Sequence, residues 1–418
     1  MSSARTLAFE LGCEEIPAFD LHNATAALGD LARNLFDAAK IPHGDIRVLS
    51  TPRRLIVLVS DVADATAAVD EEFRGPSAKA AFDAEGDFTK AALGFARGKG
   101  VDASALEVCD VDGVPYVFAV RHLDAQPTAS LLGPALENLI ESIPWPKSCR
   151  WARRSELFSR PVRWIVALLG SEVVPVEFAG LKSGNLTWGH RVLSPGAHEV
   201  PSADKLIDVL RACRIVVSEE EREQRIREGV ARIEAETGSR AELPAKTLLE
   251  VVNLSEHPAV LCGTFDEEFL KVPEEIIVDA MLMHQRYFPL YDGDGRLTNR
   301  FIVVSNGDPE CGEVITAGNE RVVRARLDDA KFFYEEDLKR PLEDYVAGLD
   351  SVVFQETLGT MRDKTARIEA VAAHLAVDAG LSDAEAALAV RAAHLAKVDL
   401  VTNTVMEFTS VQGIIGDL

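Results

Sequence analysis

The apolar residues of this chain change period repeatedly, from the two-residue repeat of a strand to the 3.6-residue repeat of a helix and back, but never in a regular strand, helix, strand alternation. A doubly wound parallel sheet needs that alternation, so the pattern predicts an α+β fold with strands and helices in clusters. At 418 residues the chain also exceeds the roughly 250–300 residues at which a single core stops growing. The expectation is a multidomain protein, with mixed strand/helix N-terminal domains followed by an all-helical end.

Four segments carry this expectation. Residues 1–63 read as strand, helix and strand: a strand over 6–11, a helix over 18–39 with Leu21, Ala24, Leu28, Leu31 and Leu35 on one face, and strands over 47–50 and 55–62. Residues 64–200 form a mixed α+β region. It opens with an Ala-, Asp- and Gly-rich stretch to residue 99 that reads as a mobile insertion with a helix only near 88–97. A strand over 116–123, a helix over 130–143 and strands over 162–169 and 173–178 follow. Residues 201–341 hold a helical pair over 202–237, whose charges from Glu219 to Glu228 read as a solvated face. Beyond it come a hairpin over 287–305 turning at Asp292-Gly293-Asp294-Gly295 and a helix N-capped by Asn319. From 342 to 418 the composition turns Ala-rich and helical, and the last residues lack a helix cap or polar tail, as if the chain were cut short.

Charge narrows the function. Against 44 basic side chains stand 67 acidic ones, a net charge of -23, so a general nucleic-acid coat is excluded and any RNA contact must be local. Nothing approaches the ~20 apolar residues of a membrane span, and no export signal opens the chain. A soluble, cytoplasmic protein is expected, touching neither membrane nor DNA. The six cysteines lie far apart without zinc spacing, as inert thiols do.

The densest basic patch is Cys149 to Trp164, where five arginines and one glutamate accompany Trp151, Phe158 and Trp164. Arginine pairs bidentately with phosphate, and both arginine and aromatic rings stack on exposed bases. The opposing reading makes the aromatics core and pairs the arginines with surplus carboxylates, and on the residues alone it leads slightly. Thr51-Pro52-Arg53-Arg54 is a second basic turn, and Gly189-His190-Arg191 offers two donors beside a flexible backbone. Arg321 and Arg324 lie three apart on one helix face, suited to a phosphate clamp, although Glu320 to Arg324 and Asp328 to Lys331 would serve equally as intrahelical pairs.

No phosphate loop, dinucleotide fingerprint, zinc-protease helix or nucleophile elbow occurs. His374, His394 and Asp399 invite comparison with a metal-dependent phosphohydrolase of the HD type, but the helical end has no adjacent His-Asp pair.

Read in order, Phe9-Glu10-Leu11-Gly12-Cys13-Glu14-Glu15-Ile16-Pro17, Thr51-Pro52-Arg53-Arg54-Leu55, Phe158-Ser159-Arg160-Pro161-Val162-Arg163-Trp164, Gly189-His190-Arg191, His284-Gln285-Arg286-Tyr287-Phe288, Ser305-Asn306-Gly307 and the run from Gly318 to Ala330 resemble the β subunit of bacterial two-subunit glycyl-tRNA synthetase, in its N-terminal part. The resemblance implies an α2β2 assembly whose α subunit uses ATP and Mg2+ to attach glycine to tRNA(Gly), while β grips the tRNA and carries neither a catalytic nor a metal site. It also implies that the helical end is the start of an HD-like domain, and it raises Arg153, Arg154, Arg160 and Arg163 first, then Arg321 and Arg324, with Arg53, Arg54, His190 and Arg191 as further RNA-binding candidates. A hydrolase using the helical end and a purely structural assembly module are the competing expectations.

Overall fold

The computed structural model describes residues 4–83 and 85–417, so the chain end at Leu418 lies outside the described residues. The chain forms two compact units, one reaching Arg191 and including Pro195–Cys213, the other comprising Val192–Ser194 and everything from Arg214. The fold is α+β with several sheets and a helical end, as the periodicity predicts.

In the first unit β1 (Arg5–Cys13), α1 (Ala18–Ala39), β2 (Ile46–Thr51) and β3 (Arg54–Val62) follow the expected order. The stretch read as an insertion is structured: β4 (Val69–Ser77), α2 (Ala78–Ala81), α3 (Lys90–Lys99), β5 (Leu106–Val111) and β6 (Val114–Leu123) build an antiparallel sheet in the order β4-β6-β5. β4 escaped detection because it is an edge strand carrying Asp70, Glu71, Glu72 and Arg74, charges that protect a free edge while erasing the alternation. After α4 (Thr128–Ser142) come β7 (Val162–Leu169), β8 (Glu172–Val173), the short pair β9 (Glu177–Phe178) and β10 (Leu181–Lys182), then β11 (Leu186–Trp188), β12 (Ala197–Glu199) and α5 (Leu206–Ala212).

The main sheet of this unit is antiparallel, in the order β2-β3-β1-β7-β8. One face is apolar: Leu7, Phe9 and Leu11 of β1, Val57 and Val59 of β3 and Ile165 of β7 pack under Leu21, Leu28, Leu132 and Leu136 of α1 and α4. Alternation puts Glu10, Gly12, Arg54 and Trp164 on the opposite face, and this face carries the site.

The second unit runs α6 (Glu219–Thr237), β13 (Arg240–Ala241), α7 (Ala245–Val252), β14 (Ala259–Thr264), α8 (Glu274–Asp279), β15 (Phe288–Tyr291), β16 (Leu297–Ser305) and α9 (Gly312–Asp337). Its antiparallel sheet, in the order β13-β15-β16-β14, is covered on both faces. Phe288 and Ile302 pack with Ile226 and Val230 of α6, while Phe301 and Val303 pack with Val323 and Leu327 of α9. α9 begins seven residues before the expected start, after Cys311. Asn319 therefore caps nothing; inside the helix its side chain donates to the Ile315 carbonyl at 2.7 Å and its carbonyl oxygen accepts from the Tyr287 hydroxyl. The two helices expected over 202–237 form as α5 and α6, the first of only seven residues, and they fall in different units. The short strands β17 (Val353–Gln355) and β18 (Gly359–Thr360) precede the helical end, α10 (Met361–Asp378), α11 (Asp383–Leu395) and α12 (Asn403–Glu407). Capping boxes at Thr360 and Ser382 start α10 and α11.

Candidate functional site

Three neighbouring strands put Arg54, Gly12 and Trp164 in one cross-strand row, because Gly12 of β1 pairs with Arg54 of β3 on one side and Trp164 of β7 on the other. With no side chain at Gly12 the indole lies flat over the β1 backbone; a Cβ there would sit 1.8 Å from Trp164 Cε2. The Arg54 guanidinium stands 5.3 Å and that of Arg53 5.5 Å from the Trp164 ring centre, and the Trp188 ring packs against it at 5.2 Å, tilted by 35°.

Beneath the row lies a fully buried ion pair, with Arg54 Nη1 donating to Glu10 Oε1 at 2.8 Å. Arg54 also donates to the Trp188 carbonyl at 3.0 Å and to the Thr187 hydroxyl at 3.3 Å, while Thr187 donates to Glu10 at 2.9 Å. Burial pushes the Glu10 carboxyl above its ordinary value against the pull of Arg54 and the Thr187 hydroxyl. The buried Trp164 indole N–H also bears on the Glu10 carboxylate and favours its charged form. Burial also raises the Cys13 thiol far above the ordinary range, which makes it an inert core residue.

At this end of the sheet three of the basic segments converge on the acidic segment that follows β1. The Cys13 amide donates to the Arg53 carbonyl at 2.8 Å, the Ile16 amide to the Pro52 carbonyl at 2.7 Å and the Glu14 amide to the Pro161 carbonyl at 3.0 Å. Glu14 then holds Arg191 at 2.8 Å and Arg163 at 3.3 Å, and Glu15 meets Arg191 at 3.1 Å and Arg53 at 3.9 Å. Arg160 donates to the Glu15 carbonyl at 3.1 Å. The result is a cleft of ≈ 660 Å³ whose walls include Arg53, Arg154, Arg163 and Arg191, a single carboxylate, Glu14, and Trp151, Trp164 and Trp188.

The walls of the cleft are tight turns. Ala152, at φ 52°, turns the chain so that the Arg154 amide reaches the Trp151 carbonyl at 3.3 Å and both side chains line the same cavity. Ala179 and Gly180, at φ 50° and 73°, form the two-residue turn between β9 and β10, with both residues left-handed. The Arg154 guanidinium lies against bare Gly180, where a Cβ would come within 1.9 Å of Nη2. Among the described residues no hydrogen bond or ion pair engages the side chain of Arg153 or Arg154.

Of the predicted residues, then, Arg53, Arg154, Arg163 and Arg191 share the cleft, and Arg160 braces Glu15 beside it. Arg153 is exposed on the Ala152 turn. Arg54 and His190 are fully buried, so neither presents its side chain to solvent. Arg321 and Arg324 line a separate cavity of ≈ 550 Å³ in the second unit. Arg324 pairs with Asp266, Lys331 with Glu268 at 3.7 Å, and Glu320 accepts from Thr264, so these charges bond across elements and not along the helix. Glu14, Glu15 and Trp188 were missed as site residues. The aromatic signal was nonetheless present, since three of the four tryptophans in the chain line one cleft. Among the described residues no group of three or more His, Cys, Asp or Glu side chains is placed to hold a metal ion, and no helix is long and apolar enough to cross a membrane.

This is the geometry of a binding scaffold: a rigid antiparallel sheet presents cationic and aromatic side chains at one end. The family model described as glycyl-tRNA synthetase beta subunit matches residues 7–418. The glycine--tRNA ligase beta subunit of Desulforamulus reducens is 42% identical over 413 residues, covering 99% of this chain and 59% of the relative. Those of Desulforudis audaxviator and Bacillus subtilis are 43% and 40% identical, covering 99% of this chain and 60% and 61% of theirs. The chain belongs to the glycyl-tRNA synthetase beta subunit family, and it spans about three fifths of the length of the curated relatives it matches.

Proposed function

We propose that this chain serves as the β subunit of a two-subunit glycine--tRNA ligase in the cytoplasm, gripping tRNA(Gly) while an α subunit, using ATP and Mg2+, attaches glycine in an α2β2 assembly. What supports the reading is the family membership together with the convergence of three basic segments on one cleft in a chain of net charge -23. Arginines concentrated in one place make a local attractive potential inside a repulsive surface, so a polyanion is drawn to that place alone. β holds the tRNA and completes the assembly; the transfer itself belongs to α.

The test mixes the purified chain with an α subunit from a close bacterial relative and measures tRNA glycylation, with a full-length β subunit as control and a tRNA gel shift alongside. Glycylation above that of α alone, with tRNA retained by the chain, supports the reading. Retention of α without tRNA would leave a structural assembly module, and phosphatase activity of the isolated chain with bound metal would leave a hydrolase. In the gel shift, Arg153→Ala with Arg154→Ala weakens binding and flattens its salt dependence; an unchanged slope removes those two residues from the phosphate contacts.

A further inference from the structure

We propose that the arginine and tryptophan cleft of the first unit takes unpaired RNA nucleotides, with a base on the rings of Trp151 and Trp188 and the flanking phosphates on Arg154, Arg163 and Arg191. This rests on the reading that the chain handles tRNA, and it specifies which form of RNA the cleft accepts.

Size comes first. A cavity of ≈ 660 Å³ falls in the range that accommodates small organic ligands, about 300–1,000 Å³, so it is matched to a nucleotide or two. The lining comes second. Trp151 and Trp188 are half-buried and line the cleft, while Trp164 is buried, packed against the tilted ring of Trp188 and flanked by two guanidiniums. Ring faces of this kind accept the face of a base. A duplex hides every base face within its stack, whereas unpaired nucleotides expose theirs.

The charges agree. Arg163 and Arg191 are held in place by Glu14, which fixes their direction but neutralises part of their charge. Arg154 is held by packing on Gly180 instead, and its donors are unspent among the described residues. It is the guanidinium best placed to meet a phosphate bidentately. Both turns that shape the cleft contain a non-glycine residue in the left-handed region, Ala152 and Ala179, and strain of this kind concentrates where a binding wall must be held in one shape. The cavity at Arg321 and Arg324 is of similar size but differs in its lining: Asp266, Glu267 and Glu320 outnumber its two arginines, and Phe265 is its one aromatic.

The experiment measures quenching of intrinsic tryptophan fluorescence by a short single-stranded oligoribonucleotide and by a blunt RNA duplex of the same length. The single strand should quench and bind at least about tenfold more tightly than the duplex, because each stacked base adds an affinity factor of that order. Trp188→Leu and Trp151→Leu should each weaken single-strand binding by about fivefold or more, Trp188→Phe should restore most of it, and Arg154→Ala should lower the salt slope. Since Trp188 packs on Trp164, circular dichroism confirms that each variant is folded, and Trp151, outside that contact, gives an independent reading. Equal or tighter binding of the duplex, or unaltered single-strand binding by both folded leucine variants, overturns the proposal. If tRNA is retained and the single strand is not, this inference fails alone; if tRNA is not retained at all, the function proposed above fails with it.

Discussion

Gly12→Ala tests the architecture of the cleft without touching a charge. The added methyl would sit 1.8 Å from Trp164 Cε2, 2.0 Å from Cδ2 and 2.3 Å from Cζ2, where ordinary contact begins at 3.4 Å. The ring must therefore retreat by the difference, about one and a half ångströms, yet it is only 4% exposed, with Trp188 packed against it and two guanidiniums over its face. Gly12 has no left-handed φ, so the cost is steric and of the overpacking kind, about 1–3 kcal/mol. For a unit of this size that is a fall of roughly 2–12 °C in the melting midpoint. All four tryptophans lie in the first unit, so a fluorescence-monitored melt reads that unit alone, which matters because a two-unit chain need not unfold in one step. Combining Gly12→Ala with Trp164→Leu should cost less than the two changes summed, since the smaller side chain makes room for the methyl. A midpoint within a degree of the parent, with unaltered fluorescence, would refute the flat packing of Trp164 on β1.

Two further predictions concern charge. Glu10→Ala leaves the Arg54 cation buried without its counter-charge and should destabilise the first unit by about 3–5 kcal/mol, whereas Glu10→Ala with Arg54→Met should lose less than Glu10→Ala alone; guanidinium-induced unfolding followed by fluorescence checks both. The second lies between β4 and β6, where His122 Nδ1 meets Asp70 Oδ1 at 2.6 Å and that bond raises the imidazole above its ordinary 6.5. A raised value in the folded state means that this contribution is full below 6.5 and is lost as pH rises through the folded value. Protection of the β4 amides, corrected for intrinsic base-catalysed exchange, should fall over that window, and Asp70→Asn should shrink the fall, leaving the weaker pull of Asp124 on the same imidazole; a parent whose corrected protection is flat there would contradict the assignment.

The parts legible in the sequence are those in which apolar spacing alone decides the outcome: α1 buries one helical stripe, and β1, β3, β7 and the hairpin of β15 and β16 are apolar runs of strand length. What escaped is decided by partners distant in the chain. Arg53 and Arg54 are adjacent and chemically identical in the sequence, yet Arg54, the first residue of β3, turns inward, where Glu10, Thr187 and the Trp188 carbonyl await it, while Arg53, in the turn before the strand, lines the cleft. Arg222 taught the same lesson in α6. Its place among alternating charges signals a solvated face, but it is fully buried, donating to the carbonyls of Val216, Val217 and Val252, and burial lowers it to about 10. A buried guanidinium persists only where oxygens already sit around it, and no local pattern reports them. Glu14 and Glu15 show the limit most clearly. They stood in a segment singled out for its resemblance, but their grip on Arg53, Arg163 and Arg191 follows from where β1 ends, at the register shift between Gly12 and Cys13 against β7. Such an irregularity re-aims the side chains that follow it and so breaks the period on which a reading of the sequence depends. Patterning therefore reveals the scaffold, whereas the site arises where the pattern is interrupted.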